Sequence, residues 1–84
     1  MKWYSGTIEH KGHDVLIEGT FTDSVVRITA NGYQLYEKAI NFWAYQEVNA
    51  SDIFDKYQGM VRKCEKKVAL LVDSGIIASE ERDV

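Results

Sequence analysis

Between residues 51 and 75 the side chains Phe54, Tyr57, Val61, Cys64, Val68 and Leu71 recur at alternating steps of three and four, which places them on one stripe of an α-helix. Ile53, Met60 and Val72 widen that stripe. The spacing predicts a long amphipathic helix over 52–74. Ser51 is the expected N-terminal cap, with Asp52 and Asp55 adding negative charge where the helix dipole favours it. Gly75 is the expected left-handed stop, folding Ile76 back onto Leu71 as in a Schellman cap. A helix with so wide an apolar face needs a second layer to cover it, and the preceding residues must supply that layer.

They read as strands joined by tight turns. With Lys11-Gly12 as a two-residue loop, Ile8 faces Val15, Gly6 faces Ile17 and Tyr4 faces Gly19, so that the Tyr4 ring covers a bare glycine backbone. A turn at Asp23-Ser24 sets Phe21 opposite Val26 and Gly19 opposite Ile28. Asn31-Gly32 is the strongest hairpin signal and sets Ile28 opposite Leu35. The result is an antiparallel β-meander of three to four strands over 2–38, giving an α+β fold whose long C-terminal helix lies on one face of the sheet. The expected inner face is Tyr4, Ile8, Val15, Ile17, Phe21, Val26, Ile28 and Leu35. Trp3, Thr7, Leu16, Glu18, Thr20, Val25, Arg27, Thr29, Gln34, Tyr36 and Lys38 then fall on the outer face.

Residues 39–50 are apolar at both strand and helix spacings, and a short helix over 39–48 is the expectation there. A rival reading caps a helix at Asn31 and runs it from Tyr33 to Val48, leaving three strands and two helices. The 84 residues give room for one domain, expected over 1–78 and followed by a frayed charged tail at 79–84.

The function classes narrow by what the chain lacks. Cys64 is the only cysteine, so no internal disulfide forms, and its place on the helix stripe marks it as a small buried residue. Neither a signal peptide nor a membrane span is legible, and a soluble cytoplasmic protein is expected. No glycine-framed serine, helical His-Glu motif or phosphate-binding glycine loop is present, so no enzyme activity and no cofactor are expected. His10 and His13 become cross-strand neighbours in the first hairpin, but a tight zinc site needs three or four protein ligands, and the pair is only a weak metal candidate.

Two surface features remain. Lys56, Arg62, Lys63, Lys66 and Lys67 fall away from the apolar stripe with Glu65 as the one acidic residue in their block, a pattern that suits an anion or an acidic protein surface, or simply a solvated helix. The aromatics Trp3, Tyr33, Tyr36, Phe42, Trp43 and Tyr45 exceed what the inner face of a small sheet needs, and Trp3, Tyr36, Trp43 and Tyr45 are the candidate partner-binding residues. The expectation is a small protein-binding module that acts as a regulator, inhibitor or assembly factor of another macromolecule, of the kind a phage or mobile element directs against a host protein. The alternative is nucleic-acid binding through the basic helix stripe. A net charge of −3 is too mild to mark a nucleic-acid mimic or a general polyanion binder, the acidic balance weighs against nucleic acid, and a homodimer is compatible with either.

Overall fold

In the computed structural model, which describes residues 1–40 and 49–77, four strands β1 (Lys2–His10), β2 (His13–Thr22), β3 (Val25–Ala30) and β4 (Tyr33–Ala39) precede one helix, α1 (Ala50–Asp73). The sheet is an antiparallel meander in the order β1-β2-β3-β4. Each loop has two residues, and both take positive φ: Lys11 and Gly12, Asp23 and Ser24, Asn31 and Gly32. That is the signature of type I′ turns, whose twist matches that of the flanking strands. Tyr33 through Ala39 is therefore strand, which removes the rival helix over 33–48. The expected short helix at 39–48 cannot start at Ala39, the last residue of β4, and its remaining core at 41–48 lies outside the described residues. The tail at 79–84 lies outside them too.

The register agrees with the sequence in the first two hairpins, including Ile8 with Val15, Gly6 with Ile17, Phe21 with Val26 and Gly19 with Ile28. It departs at two bulges. Lys2 pairs with Thr20 and Tyr4 with Gly19, so Trp3 is an extra residue and turns inward beside Tyr4. Trp3 is only 5% exposed, which corrects its expected place on the outer face. It also corrects which ring covers Gly19, because a Cβ there would stand 2.6 Å from the Trp3 indole. The Tyr4 ring leans instead over Gly6. In β4 the pairing jumps from Thr29 with Gln34 to Ile28 with Tyr36. Leu35 is the extra residue, Ile28 does not face it, and Tyr36 moves from the expected outer face to pack against the core.

The core consists of Trp3, Val15, Ile17, Val26, Ile28 and Ala30 from the sheet with Ile53, Tyr57, Val61, Cys64 and Val68 from the helix, closed by Ile77. Every helix member of that set belongs to the expected stripe or its widening, while Phe54, Met60, Leu71 and Val72 are partly buried at its margins. An aromatic cluster ties the two layers together. Trp3 lies 6.2 Å from Tyr57, Tyr36 6.2 Å from Tyr57, and Tyr4 stacks on Phe54 at 5.5 Å. Trp3 Nε1 and Tyr57 Oη are buried there with no hydrogen-bond partner among the described residues, a cost of roughly 1–3 kcal/mol each that the aromatic packing must outweigh.

The helix begins two residues earlier than expected. Asn49, not Ser51, is the cap, and its side chain accepts from the Asp52 N–H at 3.0 Å. At the other end Gly75 has φ +74, the Gly75 N–H donates to Val72 O and the Ile76 N–H to Leu71 O, both at 3.0 Å, the two bonds of a Schellman cap. The backbone expectation for Ile76 is met, but its side chain is 50% exposed, and Ile77 is the residue that packs inward.

Gly59 sits in mid-helix on the solvent side, where a Cβ would meet nothing within 4 Å. Gly59→Ala is expected to raise stability by about 0.5–1 kcal/mol, since alanine lowers the entropy of the unfolded chain and fits the helix. A urea melt with an unchanged or lower midpoint would contradict that.

Candidate functional site

Among the described residues the solvent side of α1 carries a concentration of exposed like charge. At about 100° per residue, Lys66 lies directly opposite the buried row, Arg62 and Lys63 flank it, and Lys56 and Lys67 stand on one shoulder. All five side chains are exposed. They span about 16 Å along the helix axis. None of them makes an ion pair among the described residues. Lys56 lies over the Tyr57 ring at 5.9 Å, close enough for a weak cation–π contact. Glu65, the acidic residue within the block, accepts a hydrogen bond from the Tyr4 hydroxyl at 3.1 Å and so is turned toward the sheet rather than toward the lysines. Burial, followed by that bond to Glu65, pushes the Tyr4 hydroxyl above its ordinary range. Tyr4 therefore remains a neutral donor at neutral pH, and among the described residues the five cations have no carboxylate partner.

Leu70 completes the face. It is 68% exposed, one turn beyond Lys66 and Lys67 and two turns beyond Lys63. The sequence carries a signal for it, because Leu70 falls off the stripe between Val68 and Leu71, but a single leucine among several apolar neighbours is a weak one. Carboxylates frame the face at either end, with Asp52 and Asp55 in the first turns and Asp73 in the last.

No known protein family, curated protein or solved structure matches the chain. The face must therefore be read from its own chemistry. Among the expected partner-binding aromatics, Trp3 is in the core and Tyr36 is half-buried against Tyr57, while Trp43 and Tyr45 lie outside the described residues. Among the described residues Tyr33 is the most exposed aromatic, at 45% at the start of β4.

The other candidates resolve structurally. His10 and His13 are cross-strand neighbours, as the hairpin register requires. The His10 Nε2 is held 2.9 Å from Asp73 Oδ1, however, and no group of three or more His, Cys, Asp or Glu is placed to hold a metal ion among the described residues. Cys64 is buried in the core, and that burial pushes its thiol upward, more than Lys67 lowers it. A thiol in that setting is a poor nucleophile. Among the described residues no helix is long and apolar enough to cross a membrane.

Proposed function

We propose that this protein is a binding module without chemistry of its own, and that it docks on an acidic surface of another protein through the outer face of α1. The observation that carries the reading is the combination of Lys63, Lys66 and Lys67, exposed and without an ion pair among the described residues, around an exposed Leu70. Complementary charge steers encounter and fixes orientation, while a central apolar side chain supplies desolvated area. A phosphate backbone would use the lysines but has no use for Leu70, which favours a protein over nucleic acid. Acting as a regulator, inhibitor or assembly factor follows from such a mode of action, because an 84-residue domain that only occupies a surface can block it or bridge from it.

A photo-reactive residue placed at Leu70 tests the reading in extract from the native cell. The expected result is a protein adduct that survives nuclease treatment. Against the isolated partner, Lys63→Glu with Lys66→Glu should weaken binding at least tenfold at about 0.15 M salt, with an unchanged melt. Leu70→Ser should weaken it further. A nuclease-sensitive adduct, or an affinity untouched by the double reversal, would overturn the proposal, the first outcome in favour of nucleic acid.

A further inference from the structure

We infer that the tip of the β1–β2 hairpin is a clasp that fixes the last turn of α1 and with it Leu70 and the neighbouring lysines; its geometry stands alone, while its role in docking rests on the reading above. The last turn of α1 contains no basic side chain. Asp73 instead places a negative charge at the negative end of the helix dipole, which by itself disfavours helix there. The hairpin provides the missing positive charge from Lys11, with His10 as a second hydrogen-bond partner. His10 Nε2 lies 2.9 Å and Lys11 Nζ 3.1 Å from the same oxygen, Asp73 Oδ1. These two residues are 62 and 63 positions away in sequence, so the contact joins the first strand to the end of the last element.

From Asp73 the tie continues into the docking face. Ser74 donates twice to the Leu70 carbonyl, from its N–H at 3.0 Å and from its hydroxyl at 2.8 Å. The two Schellman bonds close on Val72 and Leu71, and Ile77 is buried beyond them. An exposed leucine on a frayed final turn would have to be ordered on binding. One whose backbone is already held loses less freedom, which is how preorganisation raises affinity.

Among the described residues the charged and titratable groups that contact Asp73 are His10 from β1 and Lys11 from the loop, and His13 from β2 is the cross-strand neighbour of His10. The hydrogen bond from His10, and then that from Lys11, hold the Asp73 carboxyl below its ordinary 3.8. A carboxyl with a lowered folded value contributes fully above its unfolded value and loses that contribution as pH falls through the folded one. The clasp is thus closed on the Asp73 side from about pH 4 upward and opens in stronger acid.

Amide exchange of the full-length protein, read residue by residue, tests this. In Asp73→Asn, and in Lys11→Ala combined with His10→Gln, the N–H groups of Ser74, Gly75 and Ile76 should exchange about threefold faster than in the parent, with Cys64 and Val68 unchanged. Raising salt to about 1 M should move the parent toward the variants, because exposed ion pairs are screened. Affinity for the partner captured at Leu70 should fall at least twofold in the same variants. Equal exchange in parent and variants overturns the clasp. Faster exchange with unchanged affinity overturns its control of docking. The docking reading is judged separately by the Lys63 and Lys66 reversal, which leaves the clasp residues intact.

Discussion

Val68→Asp is expected to abolish cooperative folding. Val68 is fully buried on the face of α1 that meets the sheet, and an aspartate there has no cation within the core to pair with. Placing an unpaired carboxylate in such a site costs several kcal/mol, against a total stability of roughly 5 kcal/mol for a small domain. Val61→Asp makes the same demand one helical row away and should behave alike. Leu70→Asp is the control, since it adds the same charge only two residues along the chain but on the open side. Circular dichroism should show no thermal transition for the two valine variants and a near-parental one for Leu70→Asp. A parental melt for Val68→Asp would mean that the stripe is not the core.

The second large effect concerns the bulge that turns Trp3 inward. Trp3→Ala should cost about 3–5 kcal/mol, the usual range for deleting a buried indole. Gly19→Ala attacks the same contact from the other side. Its Cβ would stand 2.6 Å from two atoms of the indole, and Trp3 is confined by Tyr57 and Tyr4 as well as by the sheet, so relief requires moving packed groups. Overpacking of that kind costs about 1–3 kcal/mol. In the double variant the methyl group enters space that the indole has left. The combined loss should be smaller than the sum of the two by more than about 0.5 kcal/mol, the coupling expected of residues in contact. Urea melts of the four proteins give that difference directly. Strict additivity would show that Trp3 does not rest on Gly19.

The two bulges show where reading the sequence succeeds and where it stops. All three turns were legible, because Lys11-Gly12, Asp23-Ser24 and Asn31-Gly32 each stand between runs of alternating polarity, and a two-residue loop leaves the strands one pairing near the turn. Near the loops the expected pairs are the observed ones. Farther away, an inserted residue at Trp3 or Leu35 carries no local mark. Each bulge moves an aromatic from the solvent face to the core, and each does so beside Tyr57. Burying Trp3 and Tyr36 around that ring is a tertiary gain that strict alternation along a strand cannot anticipate. Of the four aromatics assigned to a partner, Trp3 is buried and Tyr36 half-buried against the core.

For the helix, spacing was sufficient for the buried face and the C-terminal stop, though not for the cap, which is Asn49 rather than Ser51. A period of 3.6 is a property of the chain, so the buried set Ile53, Tyr57, Val61, Cys64 and Val68 and the outward lysines follow from sequence alone. So does the left-handed stop at Gly75, because the absence of a Cβ is what makes that conformation cheap. The folded state alone decided which outward charges remain free. Tyr4 draws Glu65 away from the lysines, and His10 and Lys11 reach Asp73 across more than sixty residues. The strength of a charge pair depends on separation in space and on solvent, and neither is written in the order of residues.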